Sequence, residues 1–341
     1  MSAGRDRPGV ARPEPALGSP EISAIVVTDT VAAARPLFEA LRAQDAHERM
    51  EVVVAAPAGT HEDVRVAAGD EFAGVRCVAA DPRADGLALP RVLAIRAASA
   101  PVVVVTETHC FPQPGWAAAL IDAHRGPAAA IGPVFANANP ERLVSWAQFL
   151  CHYGPFAEPL PPGPYLDIPG HNSSYKRDVL LTLDAELPTL AATEYLLHRR
   201  LRAMGHELAM APAARVRHVN VSRPGAALRE SYFAGRLFAA ARREGWTRRR
   251  RLLYALAFPA LALVRLRRHA GDARRVAAPG GKLVLVPMLA GLVASAIGEA
   301  AGYVAGDGGA ASQIIDLELR RDRYLAGDAP SERLLTEAIA A

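Results

Sequence analysis

From residue 22 the chain alternates short β-branched runs with stretches in which apolar side chains recur every three or four positions. Residues 22–27, 51–55, 74–78 and 102–105 read as strands. A helix of about a dozen residues follows from Val31, with Leu37, Phe38 and Leu41 at core spacing, and another is expected around 89–98. The run Val102-Val103-Val104-Val105 has no polar position at all, which predicts a strand covered on both faces. Such alternation is the mark of βαβ units, so the expected class is α/β: a Rossmann-like, mostly parallel sheet with flanking helices.

Beyond Cys110 the pattern is more broken. Residues 111–116 read as a turn, with Pro114 in the first turn of a helix over 116–123. Residues 128–134 read as a strand, and five prolines between 155 and 164 as an irregular loop bordering a pocket. Residues 168–175 return to strand-like composition. A helix over 192–204 ends at Gly205, and 207–210 and 215–219 then read as two short strands.

From Gly225 an arginine-studded helical segment carries Tyr232, Phe233, Phe238 and Trp246, and two apolar stretches follow. Residues 252–264 hold Pro259 and are too short for an ordinary membrane span. Residues 283–305 have the length, but Glu299 and several glycines interrupt them, so the segment spans, dips in and returns, or lies on a surface. The expected organisation is a loose tail at 1–20, an α/β domain at 21–222, Arg-rich and apolar membrane-associating helices at 223–310, and a tail at 311–341.

With 341 residues, 51% hydrophobic and 22% charged, the chain can bury a sizeable core. Its net charge of +4 matters through its placement. Arg242, Arg243, Arg248, Arg249, Arg250, Arg251, Arg265, Arg267, Arg268, Arg274 and Arg275 crowd one region beside the apolar stretches, which suits an anionic cytoplasmic leaflet. Three cysteines without a CxxC pair give no disulfide framework or structural zinc site and fit a reduced cytosol. No apolar run after the first residues reads as a secretory signal.

Candidate chemistry begins where the valine run ends, at Glu107-Thr108-His109. In an open α/β sheet ligands gather at the carboxyl ends of strands. In an extended chain Glu107 and His109 leave the same face and can hold one divalent ion; equally, an acid after a strand serves as a helix cap or solubilises a loop. Thr28 and Asp29, after the first strand, are placed to cap the next helix. His218 ends a strand as a ligand or as a hydrogen-bonding residue.

The order of these features resembles a family 2 glycosyltransferase of the GT-A fold, of the membrane-associated bacterial type. The match covers roughly residues 20–245, and order and spacing carry it. Glu107-Thr108-His109 stands where the family usually has Asp-x-Asp. Pro112, Gly115 and Trp116 are similar to its proline-glycine-tryptophan turn, and Gly170-His171-Asn172 before Tyr175, Lys176 and Arg177 to its Gly-x-Asn stretch. Thr193-Glu194, then Arg200-Leu201 and Gly205, are similar to the acid-led helix, and His218 to the late histidine. The resemblance implies a nucleotide-sugar donor, a hydroxyl acceptor and a divalent cation, Mn or Mg, held by Glu107, His109 and His218. It further implies Glu194 as catalytic base, nucleotide contacts from Thr28, Asp29 and Asp85, and substrate contacts from Gly170, His171, Asn172 and Trp116.

One departure stands out: the second strand runs into Ala55-Ala56-Pro57-Ala58-Gly59-Thr60, without the acid the family places there. A catalytically silent GT-A-like binding module at the membrane is therefore the competing expectation. Nucleic acid is not expected as a partner, because no recognition motif accompanies the arginines and their neighbours are apolar. The expected location is the cytoplasmic face of the cell membrane, through peripheral, monotopic or single-span attachment.

Overall fold

The computed structural model describes residues 18–160, 165 and 167–327. Its first half alternates β1 (Ile22–Val27), α1 (Val31–Arg42), β2 (Met50–Ala56), α2 (His61–Ala68), β3 (Gly74–Ala79), α3 (Pro82–Asp85), α4 (Ala88–Ala97) and β4 (Val102–Thr106). Then come β5 (Cys110–Pro112), α5 (Trp116–Ala123), β6 (Ala130–Asn137) and α6 (Leu143–Tyr153). After these follow β7 (Ser174–Lys176), α7 (Arg177–Leu181), α8 (Leu187–Leu190), α9 (Glu194–Ala203) and β8 (Leu208–His218). The rest is helical: α10 (Pro224–Arg242), α11 (Arg248–Leu256), α12 (Phe258–Arg275), α13 (Leu285–Ala305) and α14 (Ala310–Leu319).

The strands form one eight-stranded sheet in the order β3-β2-β1-β4-β7-β6-β8-β5. The α/β class holds, and the sheet is mixed. β3, β2, β1 and β4 are parallel, whereas β7 runs antiparallel to both β4 and β6. The unbroken apolar runs are explained by two core layers. Val102 and Val104 join Ile22, Val26, Val52 and Val54 on one face, while Val103 and Val105 join Ile25, Val27 and Val53 on the other. Strand periodicity of two does this sorting. Since β1 lies between β2 and β4, the chain leaves in opposite directions at that point, and a crevice opens beside the carboxyl ends of β1 and β4.

Several expectations are corrected. The two short strands expected at 207–210 and 215–219 are one strand, β8, whose register against β6 slips between Pro133 and Val134. Pro133 and Pro212 lack the N–H a regular ladder needs, and the bulge takes up the extra residues. Of the strand-like residues 168–175, only those from Ser174 join the sheet, because Asn172 takes a left-handed backbone (φ 59°). The apolar stretch 252–264 is split at Ala257 between α11 and α12, with Pro259 in the first turn of α12.

Part of the expected C-terminal tail is structure. Residues 310–319 form α14, a 3-10 turn (Arg321–Tyr324) follows, and Ser222 and Arg223 receive the chain back through their N–H groups, which donate to the Tyr324 carbonyl. The tail at 1–17, residues 161–164 and 166 of the proline-rich loop, and 328–341 lie outside the described residues.

α13 is long and apolar enough to cross a membrane by length and composition. Along one face it packs against α10 with almost no gap: a Cβ on Gly298 would overlap the Tyr232 carbonyl oxygen, and one on Gly302 the Arg236 carbonyl oxygen. Glu299, 3% exposed, pairs with Arg265 of α12. Replacing Gly298 with Val should therefore force the two helices apart and lower unfolding stability by about 1–3 kcal/mol, the usual range for overpacking. Chemical denaturation checks this, and an unchanged midpoint would show that the contact is not required.

Candidate active site

Glu107 follows directly on β4, where it is 7% exposed. Asn172 clamps it twice: Asn172 Nδ2 donates to Glu107 Oε2 (2.9 Å), and Asn172 Oδ1 accepts from the Glu107 N–H (3.3 Å). The Asn172 N–H also donates to the Val105 carbonyl at 2.8 Å. Asparagine suits this position because it tolerates a positive φ better than other side-chain-bearing residues while offering both a donor and an acceptor.

His109 and His218 complete a group with Glu107 whose candidate ligand atoms all lie within 4.8 Å of one another. β5 pairs with β8 so that Cys110 lies opposite His218, and this pairing brings the two ends of the sequence motif together. His218 Nδ1 lies 2.9 Å from Asn220 Oδ1, an atom that only accepts, so Nδ1 carries the proton and Nε2 presents a lone pair. Tyr153 Oη is 3.2 Å from that Nε2. His109 Nε2 faces Arg321 (3.2 Å) and Glu318 (3.4 Å), whereas its Nδ1 is buried with no partner among the described residues.

Glu194 opens α9, and its carboxylate lies 2.7 Å from Arg91 Nη1 and 3.4 Å from His171 Nδ1. The same His171 nitrogen is 3.2 Å from Glu107 Oε1, so one imidazole links the two acids. Gly170 makes the approach possible: a Cβ there would come within 3.2 Å of Glu194 Cβ. Gly170, His171 and Glu194 border a cavity of about 580 Å³, lined also by Tyr153, Glu230, Phe238, Glu318 and Arg321.

Electrostatics follow from burial and pairing. Burial works against the charge on Glu107, but His171 beside it outweighs that and holds its carboxyl well below the usual carboxylate range. Burial likewise works against Glu194, and His171 and Arg91 outweigh it, leaving the carboxyl below its ordinary value. His171 is pushed up: burial opposes protonation, and Glu107 and Glu194 override it. Burial, with Arg321 beside it, holds His109 well below the usual histidine value, so the ring is neutral and can act as a ligand. Burial raises Glu318.

Other expected site residues are placed elsewhere. Trp116 is 1% exposed and belongs to the core. Thr28 is fully buried, and its hydroxyl donates to the Thr30 carbonyl at 2.7 Å. Asp85 accepts the Asp81 N–H at 2.8 Å and closes its own short turn. Asp29 is near the crevice but already paired, with Arg320 (2.6 and 2.7 Å) and Arg83 (2.6 Å).

Four site residues were missed: Arg91, Glu230, Glu318 and Arg321. The helical spacing of Ile314, Leu317 and the Glu318/Arg321 pair could have revealed the last two; nothing local distinguishes Arg91 or Glu230.

No protein-family model matches this chain, and no curated protein sequence does. Among solved structures, TarS 1-349 from S. aureus is 15% identical over 82% of this chain and 90% of that chain, with a TM-score of 0.41. The same protein in complex with UDP is 14% identical at a TM-score of 0.41, again over 82% and 90%. Glucosyl-3-phosphoglycerate synthase from Mycobacterium tuberculosis, in complex with Mn2+, UDP and phosphoglyceric acid, is 14% identical over 59% of this chain and 71% of that one, at 0.38. Likeness this low leaves the chemistry to be read from the side chains themselves.

The Asn172 clamp has a measurable consequence. Replacing Asn172 with Ala leaves a buried carboxylate short of a donor, and the expected loss is roughly 1–3 kcal/mol of stability. Chemical unfolding of the two proteins measures it. Equal stability would show that Glu107 finds another donor.

Proposed function

We propose that this chain is a GT-A-type glycosyltransferase that moves a sugar from a nucleotide-sugar donor to a hydroxyl acceptor with inversion. The observation that carries the reading is the convergence of Glu107, His109 and His218 within 4.8 Å, with Glu194 joined to them through His171. One carboxylate and two imidazoles make a donor set for a borderline divalent ion such as manganese, and the unpartnered His109 Nδ1 is the buried polar atom such an ion would satisfy. A divalent cation held there would supply positive charge to the departing diphosphate.

Glu194 acts as the base. The acceptor oxygen attacks the anomeric carbon, its proton passes to the Glu194 carboxylate, and the carbon–oxygen bond to the diphosphate breaks with its electron pair leaving on the phosphate. Attack from the opposite face inverts the configuration. Arg91 and His171 keep Glu194 ionised and fix its position on the first turn of α9. Glu107 is bridged to Glu194 through His171.

The acceptor is proposed to lie at a membrane surface. Leu252, Leu253, Leu256, Leu263, Val264 and Val286 are all exposed on α11, α12 and α13 beside Arg248 to Arg251. An apolar strip rimmed by cations suits the interface of an anionic leaflet, and packing of α13 against α10 favours lying on that surface over crossing it. The missing acid after β2 favours one competing reading, a silent binding module of the same fold.

Turnover separates the two. Glu194→Gln should lower donor transfer or hydrolysis by about a hundred- to ten-thousand-fold, the span of general-base catalysis, and a chelator should reduce the wild-type rate. An inactive wild type across a panel of nucleotide sugars would instead favour the silent module. The pH profile carries a further signature. A base must be deprotonated, so wild-type activity falls only as pH drops below the ordinary carboxylate range; Arg91→Met removes a cation, raises the Glu194 pKa and should move that acidic limb upward.

Membrane attachment is checked by vesicle sedimentation. The chain should bind vesicles containing phosphatidylserine, lose most of that binding at high salt, and lose it in Leu253→Glu/Leu256→Glu. Equal recovery in the supernatant with and without anionic vesicles would count against a membrane-bound acceptor.

A further inference from the structure

Two cavities meet at one residue. The first, about 450 Å³, is lined by Thr30, Ala33 and Pro36 after β1 and by Thr108 and His109 after β4, which places it in the crevice where the strand order reverses. The second is the cavity of about 580 Å³ that holds His171 and Glu194. Among the described residues, Arg321 alone lines both. It comes from the 3-10 turn after α14 and is 6% exposed.

The guanidinium is held rigidly. Nη1 donates to Glu230 Oε1, and Gln148 Nε2 holds the other oxygen of that carboxylate at 2.7 Å. Nη2 lies 3.0 Å from Glu318 Oε1 and 3.2 Å from His109 Nε2, while Nε is buried without a partner among the described residues. A fully buried arginine with an unused donor, next to a ligand-type histidine, is more than Glu230 needs for neutrality. Planar guanidinium forks match phosphate oxygens.

We infer that Arg321 binds the diphosphate of the donor where it passes from the crevice beside β1 and β4 into the cavity containing Glu194. This rests on the glycosyl-transfer reading. The nucleoside lies in the first cavity, the sugar in the second, and the two phosphates cross between them against Arg321, with Glu230 and Gln148 as positioning residues. The C-terminal segment is thereby part of the donor site, and Glu318 is the group that yields its contact when the phosphate arrives.

Titration calorimetry of the full chain tests this with UDP, GDP, ADP, CDP and dTDP, each against its own monophosphate and nucleoside. Wild type should prefer one diphosphate over its monophosphate. In Arg321→Gln that preference should fall by about ten- to a hundred-fold, as expected for loss of charge-assisted hydrogen bonds, while affinity for the nucleoside stays unchanged. Unchanged nucleoside affinity also shows that the variant is folded; should Arg321→Gln unfold, Arg321→Lys keeps the charge, loses the fork and should show a smaller fall. A preference retained in full by the folded variants overturns the assignment of Arg321 and leaves the transferase reading standing. Absence of binding by wild type to every diphosphate, with and without manganese, overturns both.

Discussion

Four carboxylates, Glu107, Glu194, Glu230 and Glu318, converge where the carboxyl ends of β4 and β8 meet α9, α10 and α14, and bringing them together out of water is the constraint on which the arrangement turns. Unpaired buried charge is strongly unfavourable, so each acid needs a partner supplied by a distant part of the chain. Arg91 of α4 reaches Glu194, Asn172 before β7 holds Glu107, and Arg321 beyond α14 returns to Glu230 of α10. These long-range pairs fix how the helices are laid over the sheet end. They also explain why the chain comes back across the site after α13 instead of trailing away.

The pairing nearly cancels. Glu107, Glu194 and Glu230 are held below their ordinary value, Glu318 is raised by burial, and facing them are the cations Arg91 and Arg321 and His171, whose pKa the neighbouring acids raise. A dication entering this balanced site alone would add uncompensated positive charge. Entering with a diphosphate, it would not. On the proposed reading, metal and donor therefore bind as one unit, each lowering the electrostatic cost of the other. His109 in place of a second acid fits this logic, since another buried carboxylate would need another cation.

Much of the sheet was legible in the residues. Apolar runs such as Val102-Val103-Val104-Val105 can be satisfied only by a strand covered on both sides, and local periodicity suffices to find α1 and α5. Glu107 and His109 were readable because they follow the valine run of β4, where ligands collect in such sheets, and the resemblance to the glycosyltransferase family added His218 to them. Arg91 was not, since it lies in a helix of weak amphipathic character and gains its role from a partner 103 positions away. Trp116, to which the resemblance gives a substrate contact, is packed into the core by its size. The split of β8 into two expected strands arose because a bulge around Pro212 looks, locally, like a loop.

The same helix that supplies Glu230 also joins the site to the exposed apolar face. α10 lines the cavity with Glu230, Ala234 and Phe238, and along the side marked by Gly235 it meets α13, whose backbone comes close enough to exclude a methyl group. Arg242 closes the end of that wall, 5.2 Å from the Phe238 ring and 5.5 Å from the Trp246 ring. Glycine contacts of this kind leave little room for sliding, so the exposed strip on α11 to α13 and the cavity move as one body. If that strip rests on a bilayer, the cavity lined by Phe238, Tyr195 and Glu194 is held at a fixed height above the headgroups. The apolar strip and the buried acids are thus parts of a single geometry, with α10 as the shared wall.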